Sequence, residues 1–347
     1  MSFIGDFFYK KQDGESVILI DIGADSVAGA YVRYEETETP VLVYSRSLPI
    51  EIHTGEARER AMLRALDVLG NDLIREGAPV LARYAGSGRA GKILVSVDAP
   101  WQETNVRTEH FEESEPFVFT KSLVDARLEE TRAGLPEKLL VDESVIGTVL
   151  NGYETRSPYG KKVHRATIIV LTSLIHKNVA NNIIQILEGL FHTKDILPIA
   201  GNSLRYQVMR GLFPHERDAI ILDATGGSLT SVALVRKGVF ASLVQVSNPS
   251  GSDSWIPTVK GELVEVAKHY PLPRTIFLLA REPEISSLQH LLDTADFGAL
   301  WFSDNPPKII PVLRSNIPTA IRQVSVRPAD IVLLFMALYH QNQRNTQ

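Results

Sequence analysis

The same order of structural elements is predicted twice along this chain, and the repeat limits its possible folds more than any other feature. In the first half, three strand-like segments, a helical segment and a fourth strand follow one another at residues 17–22, 27–34, 41–49, 55–84 and 92–98. In the second half, the same order runs through residues 219–223, 229–235, 239–246, 255–270 and 275–279. A pattern that returns over a whole half of a chain indicates duplication of a domain. We therefore expect two related α/β domains.

The turn after the first strand of each copy is the main candidate for a binding site. In the stretch IILDATGGSLTSVALV, residues 220–235, an apolar run ends in Asp223, a glycine pair follows and a second apolar run begins. A β-hairpin of this kind can wrap a phosphate, because backbone N–H groups of the turn point at the anion. Two glycines between apolar strands also make an ordinary tight turn. Asp21, which stands before Gly23 at the same place in the first copy, favours the binding interpretation.

Composition excludes several classes of protein. The chain has 347 residues, 44% of them hydrophobic and 22% charged, which is typical of a folded globular protein of about two domains. A net charge of −5 argues against a nucleic-acid binder with a generally basic surface. The absence of cysteine excludes disulfides, thiolate metal sites and a cysteine nucleophile.

No segment is expected to cross a membrane. The longest apolar runs, near residues 168–174 and 331–338, are far shorter than the ~20 residues that a spanning helix needs. The first residues, MSFIGDFFYKK, lack the pattern of a secretory signal. These observations predict a cytoplasmic protein, with peripheral attachment to the inner face of the membrane as an option.

The spacing of the elements gives expected domain boundaries. The first domain is predicted at residues 17–98 and 192–214, an inserted subdomain at 99–191 and the second domain at 215–343. The insertion is expected to contain a small sheet and two helices, with strands at 139–150 and 166–171, helices at 117–132 and 175–191, and a polar hairpin tip at 153–165.

Residues 1–16 form a separate amphipathic segment ahead of the first strand. Phe3, Ile4, Phe7 and Phe8 would share one face if this segment is helical. That face could pack on its own domain, enter a groove of a partner or lie on a membrane.

The sequence resembles the actin-like FtsA and PilM proteins of bacteria in three features. These are the repeated strand–turn–strand with its two aspartates, the insertion in the first half and the stretch VDESVIGTVLNGYETRSPYGKK at 141–162. The resemblance implies an α/β, actin-like (ribonuclease H-like) fold of duplicated domains around a nucleotide cleft. It also implies that one turn of each domain holds the phosphates, with Asp21 and Asp223 facing Mg²⁺. The cofactor-binding residues it implies are Asp21, Gly23, Ser26, Asp223, Gly226, Gly227 and Ser228.

The chain departs from the family pattern at this cleft. Where relatives have glycine, a hydroxyl group or lysine, the first turn has Ala24, Asp25 and Ala28, and Asp25 places a negative charge where phosphate would approach. In the second turn, Thr225 occupies the position of a glycine in the family pattern, and Thr230 occupies the position of an acidic residue. The site is therefore expected to be vestigial or weak for nucleotide.

Two further departures concern the walls of the cleft. Residues 280–284, which would close on adenosine, are bulky and acidic rather than glycine-rich. Between residues 247 and 274 there is room for about one helix, at ~1.5 Å rise per residue. The helical subdomain that relatives insert there is expected to be missing. We expect no cofactor, with ATP and Mg²⁺ as the alternative.

The resemblance leaves three functions open. A PilM-like protein would be a non-catalytic adaptor that holds the N-terminal tail of an inner-membrane protein of a pilus or secretion assembly, in a groove beside the inserted subdomain. An FtsA-like protein would link a division filament to the membrane. A kinase of the same superfamily would need a catalytic base, for which Asp98 is the best candidate. We expect no nucleic-acid partner and at most limited self-association.

Overall fold

The computed structural model describes residues 14–35, 39–132, 137–155, 157–247, 252–301, 307–317, 321–325 and 327–345. The N-terminal amphipathic segment that the sequence predicts lies outside these residues, apart from its last three positions.

The first domain is built on a six-stranded sheet in the order β15-β3-β2-β1-β4-β9. Its strands are β1 Glu15–Ile22, β2 Ser26–Tyr34, β3 Val41–Pro49, β4 Lys92–Val97, β9 Ile196–Ala200 and β15 Arg322–Gln323. The first three strands are antiparallel, and β4 lies parallel to β1 and to β9. Seven of the eight residues of β1 are buried, as expected for a central strand covered on both faces.

Three helices pack on the outer face of this sheet and bury the apolar side chains of that face. They are α1 Arg58–Asp72, α2 Ala78–Ala85 and α4 Lys177–Phe191. A single π-helical turn, Leu73–Gly77, joins α1 to α2, so the helix predicted over residues 55–84 is interrupted. Met62, Leu66 and Leu69 of α1 are fully buried because they recur on the side that faces the sheet.

The second domain repeats the arrangement with a five-stranded sheet in the order β12-β11-β10-β13-β14. Its elements are β10 Ala219–Asp223, β11 Thr230–Arg236, β12 Val239–Val246, α6 Trp255–Ala267, β13 Thr275–Leu279, α7 Glu282–Thr294 and β14 Lys308–Pro311. The duplication predicted from the sequence is confirmed. Of the described residues between β12 and β13, only those of α6 are helical, so the additional helical subdomain of relatives is absent from this part of the chain.

Two helices fill the space between the two sheets. They are α5 Gly201–Leu212 and α8 Ile331–Arg344, and their side chains form one apolar core with the inner faces of both sheets. Nine of the first ten residues of α8 are buried, which explains why its sequence, IVLLFMALYH, is apolar on nearly every side. Among the helices that the structure describes, none has both the length and the apolar composition needed to cross a bilayer.

The insertion forms a third, antiparallel sheet in the order β5-β8-β6-β7. Its elements are β5 Gln102–Phe119, α3 Lys121–Arg132, β6 Lys138–Leu150, β7 Tyr153–Glu154 and β8 Lys161–His176. Helix α3 covers one face of this sheet through Val124 and Leu128.

Two predictions for the insertion were wrong in detail. The helix expected to begin at residue 117 begins at Lys121, because β5 continues through Phe119. The second helix assigned to the range 99–191 is α4, which contacts β6 and β8 of the inserted sheet but packs mainly against α1 of the first domain. Its residues Val179, Ile183 and Leu187 belong to the core beneath α1 in the first domain.

Candidate functional site

The turns that follow β1 and β10 meet across the space between the two domains. The carboxylate of Asp25, in the first turn, accepts hydrogen bonds from the backbone N–H of Ser228 at 2.6 Å and from its hydroxyl at 2.8 Å. Arg58, at the start of α1, donates to Asp25 Oδ1 at 2.9 Å. The Asp25 carboxylate, which belongs to the chain itself, thus occupies the place where the hairpin would hold an anion.

Glycine at position 227 makes this approach possible. Gly227 has φ +71°, and a Cβ atom on it would lie 2.7 Å from Asp25 Oδ2. A side chain here would therefore be strained by the backbone and would collide with the carboxylate. The sequence predicted a role for Gly227 in anion contact, and the structure places it against a carboxylate.

A buried cluster of charges lies at the ends of β1, β4 and β10. Arg205, on α5, donates to both carboxylate oxygens of Asp98, at 2.6 Å and 3.0 Å. Its Nε atom also lies in ion-pair contact with Asp223 Oδ2. The Arg205 side chain is 6% exposed, so a cation fixed in the chain stands among these aspartates.

Asp21 is the fourth charged residue of this cluster. Its Oδ1 atom is buried and has no hydrogen-bond partner. Burial, followed by the charge of Asp98, raises the pKa of Asp21 to about 8. Burial therefore favours the protonated form of Asp21 up to a higher pH than for an exposed aspartate.

Asp98 and Arg205 respond differently to burial. Burial raises the pKa of Asp98 despite its contact with Arg205. Burial acts to lower the pKa of Arg205, but the charges of Asp223 and Asp98 outweigh it and the pKa is raised. Arg205 therefore stays charged, and Asp98 is held in an ion pair rather than poised as a catalytic base. The kinase hypothesis loses its best candidate for that role.

Gly201 lets Asp98 and Arg205 approach each other. It is the first residue of α5, and a Cβ atom on it would lie 2.0 Å from Asp98 Oδ1 and 2.9 Å from Arg205 Nη1. The absence of a side chain at this position is thus a requirement of the ion pair.

Replacing Gly201 with alanine is expected to destabilise the protein by about 1–3 kcal/mol, because the added methyl group displaces the Asp98 carboxylate from Arg205. Thermal unfolding followed by circular dichroism measures the effect. Gly189→Ala, in α4, is the matched control, since a Cβ atom there meets nothing within 4 Å. Equal melting temperatures for the two variants would contradict the prediction.

The remaining residues implied by the family resemblance hold the turns in shape. Gly23 accepts a hydrogen bond from the Trp101 indole at its carbonyl oxygen, at 2.9 Å. Ser26 accepts one from Arg281 of the second domain at 2.9 Å. A Cβ atom on Gly226 would lie 3.0 Å from the carbonyl oxygen of Leu229, so this turn is closely packed.

Three residues of the site were not singled out from the sequence: Arg58, Gly201 and Arg205. Arg205 carried a signal, because it stands between Leu204 and Val208 in a helix whose neighbouring positions are buried. A buried arginine in such a helix requires a carboxylate partner, but the sequence does not identify which one.

Side chains of the chain itself stand where the family resemblance implies ATP and Mg²⁺. The Arg205 guanidinium supplies positive charge to the aspartates that the resemblance assigns to the metal ion. Asp25 fills the phosphate position of the second turn with negative charge. Among the described residues, no group of three His, Cys, Asp or Glu side chains is placed to hold a metal ion.

A second candidate site lies at the inserted sheet. A cavity of about 870 Å³ is bordered by residues 145–149 of β6, by the end of α5 and by the turn between β11 and β12. Its apolar lining includes Ile146, Ile169 and Phe213, and Arg210 stands at its side.

The edge of β6 is exposed toward this cavity. On that side β7 pairs only with Val149 and Leu150, and Thr155 donates its backbone N–H to the Thr148 carbonyl oxygen at 3.0 Å. Within the described part of the chain, no strand pairs with residues 143–147 on the side opposite β8.

The wall of the cavity formed by the second domain is held by specific contacts. Arg217 donates to the carbonyl oxygen of Lys237 at 2.7 Å, and Gly238 donates its N–H to the carbonyl oxygen of Arg217 at 2.7 Å. Lys237 in turn forms an ion pair with Glu154 of β7 at 2.6 Å. The turn between β11 and β12 is thereby connected to the inserted sheet.

No protein-family model and no curated protein sequence matches this chain. Solved structures do match over nearly its whole length. A PilM–PilN type IV pilus biogenesis complex aligns with a TM-score of 0.56 at 13% identity, over 94% of this chain and 98% of the other. A Bacteroides thetaiotaomicron protein with an actin-like ATPase fold aligns with a TM-score of 0.49 at 8% identity, over 96% and 98%.

The cytoplasmic domain of EpsL, an inner membrane component of the Vibrio cholerae type II secretion system, aligns with a TM-score of 0.39 at 9% identity, over 96% of each chain. The PilM–PilN alignment is the one of these three with a TM-score above 0.5, and it shows the fold. The chain has an actin-like α/β fold, and its architecture is similar to that of the solved PilM–PilN structure.

Proposed function

We propose that this chain is a non-catalytic, cytoplasmic adaptor of a pilus or secretion assembly, which holds the cytoplasmic tail of a membrane protein in the cavity beside β6. Two things support an adaptor rather than an enzyme. Arg205 and Asp25 fill the nucleotide cleft with charges of the chain itself. One solved structure with a similar fold is a PilM–PilN type IV pilus biogenesis complex.

The uncovered edge of β6 is the observation that carries this proposal. A strand edge presents unpaired N–H and C=O groups, and an extended peptide can add to it as a further strand. The edge borders an 870 Å³ cavity, so a peptide added there would have space for side chains as well as main-chain partners.

The lining of the cavity indicates the chemistry of the tail. Ile146, Ile169 and Phe213 offer apolar surface for alternate side chains of an added strand. Arg210 packs its guanidinium against the ring of Tyr206, 5.7 Å from the centroid, and its side chain is exposed. A tail with apolar side chains and an acidic group would complement this surface.

A photo-crosslinking residue at position 146, in the chain expressed in its own host, tests the proposal. We expect it to capture a membrane protein with one spanning segment, through that protein's cytoplasmic tail. A synthetic peptide of the captured tail should then bind the purified chain, with the affinity measured by fluorescence anisotropy.

Matched variants define the site. Ile169→Asp places a charge in the cavity and is expected to weaken peptide binding at least about tenfold, since an uncompensated buried charge is costly. Ile52→Asp adds the same charge at a residue that is 53% exposed and lies away from the cavity, and it should leave the affinity unchanged. The proposal would be abandoned if both variants bound the tail like the unmodified chain, or if position 146 captured no membrane protein.

A further inference from the structure

We propose that one end of the inserted sheet is a docking surface for an anionic lipid membrane. This end, which we call the sheet tip, consists of residues 117–123 and 157–162 together with Tyr153 and Thr155. The choice of a membrane as the occupant rests in part on the proposed function, because the cavity beside β6 would receive the tail of a membrane protein.

The sheet tip is formed where two strands continue beyond the end of a third. Strand β6 ends at Leu150, which lies opposite Ala166 of β8. Strand β8 begins five residues earlier, at Lys161, where it pairs with Phe119 of β5. At ~3.3 Å per residue, the two strands continue for roughly 15 Å past β6. The sheet tip is therefore an outer end of the inserted subdomain.

Large apolar and aromatic side chains are exposed at the sheet tip. Tyr153 is 80% exposed, more than any other large hydrophobic side chain that the structure describes. Val118 and Tyr159 are both exposed as well, and the Tyr159 ring stacks on Phe119 with the ring centroids 5.9 Å apart. An exposed tyrosine suits the headgroup level of a bilayer, because its ring and its hydroxyl each find a matching environment there.

Three lysines of the sheet tip have no carboxylate partner. Lys121 begins α3, Lys161 and Lys162 begin β8, and all three are exposed. Lys162 lies opposite Val118, and Lys161 Nζ donates to Thr155 Oγ1 at 3.1 Å. Among the described residues, none of the three forms an ion pair, whereas four other lysines do: Lys92, Lys138, Lys237 and Lys268.

The sequence around the sheet tip lacks acidic residues. Neither residues 116–124 nor residues 155–187 contain aspartate or glutamate, although the whole chain has a net charge of −5. Carboxylates return on β5 at Glu115, in the irregular part of that strand. An anionic lipid surface would therefore attract the sheet tip and repel most of the remaining chain, which fixes the orientation of docking.

The sheet tip borders the cavity proposed for the tail. Tyr159 and Thr155 line that cavity and also belong to the sheet tip. A tail held there belongs to a protein anchored in a bilayer, so the lipid headgroups are close to the sheet tip. A weak contact with lipid would then strengthen the binding of the tail, because each contact raises the effective concentration of the other.

Cosedimentation with lipid vesicles that contain no protein tests this surface separately from the tail. We expect the unmodified chain to bind vesicles of phosphatidylglycerol and phosphatidylcholine at millimolar lipid and low ionic strength. Vesicles of phosphatidylcholine alone should not bind, and added salt should weaken the binding to anionic vesicles. The double variant Lys161→Glu with Lys162→Glu should bind at least about tenfold more weakly, because repulsion replaces attraction.

Matched variants separate the sheet tip from general effects of charge and surface. Lys194→Glu with Lys308→Glu makes the same change in net charge at exposed lysines elsewhere, and it should weaken vesicle binding by less than about threefold. Tyr153→Ser should weaken binding, whereas Tyr270→Ser, at an exposed tyrosine of the second domain, should not.

The outcomes for lipid and for tail are distinguishable. If the unmodified chain fails to bind anionic vesicles at millimolar lipid, this proposal is wrong even where a tail peptide binds. Equal weakening by the two double lysine variants would also overturn it, since the sheet tip would then have no special part. A photo-crosslinker at position 153 that captures an acidic soluble protein, without vesicle binding, would assign the surface to a protein partner instead.

Discussion

Replacing Arg205 with methionine is expected to lower the free energy of unfolding by about 3–5 kcal/mol, the usual cost of removing one partner from a buried ion pair. Asp98 and Asp223 are both less than 9% exposed, and they would lose their only buried cation in this cluster. Methionine preserves much of the side-chain volume, so the loss reports charge rather than a cavity. Urea unfolding at neutral pH, followed by circular dichroism, measures it.

Two controls separate the charge network from other effects. Arg210→Met, an exposed position five residues along the same helix, should change stability by less than about 0.5 kcal/mol. Adding Asp98→Asn and Asp223→Asn to Arg205→Met should recover much of the loss, because neutral amides leave no unpaired charge. A loss below about 1 kcal/mol for Arg205→Met alone would mean that water reaches the cluster.

The stability of the protein is expected to fall as pH rises from about 4 to about 8, because Asp21 must give up its proton within the folded chain. An unfolded aspartate has a pKa near 3.9, whereas burial raises the pKa of Asp21 to about 8 in the folded chain. Between these two values the folded chain keeps a proton on Asp21 that the unfolded chain has lost. The stability that this proton confers is complete below pH 4 and is lost by about pH 8. Asp21→Asn removes this dependence.

Urea unfolding at pH 4, 6 and 9 tests the effect of Asp21. The Asn variant should match the unmodified chain most closely at pH 4 and exceed it by several kcal/mol at pH 9. Asp98, whose pKa is also raised, leaves some pH dependence in both proteins. Stability curves that run parallel from pH 4 to pH 9 would show that Asp21 ionises freely in the folded chain.

The repeat, and with it the duplicated fold, could be predicted from the sequence. The strand at 275–279 was located to the residue, because its run TIFLL is short and mostly apolar and lies between Arg274 and the charged residues that begin at Arg281. The strands that end at Asp21 and Asp223 were found for the same reason. These features depend on the local alternation of apolar and polar residues, which one sequence displays directly.

The packing of elements could not be predicted in the same way. Helix α4 has an apolar face at helical spacing, but that face fits equally well on the inserted sheet or on the first domain. The predicted start of α3 was too early because residues 117–119 belong to the end of strand β5. A sequence shows which face of a helix or which strand is apolar. It does not show which other element packs against that face.

The candidate site shows the same division. The sequence by itself determined that two aspartates and a glycine pair stand at the ends of corresponding strands, since strand periodicity and turn chemistry are local. Only the tertiary structure decided that Arg205 pairs with Asp98, 107 positions away, and that Asp25 fills the turn at Ser228, 203 positions away. Buried charges select partners by distance and geometry after the chain has folded, so residues far apart in sequence settled the chemistry of this cleft.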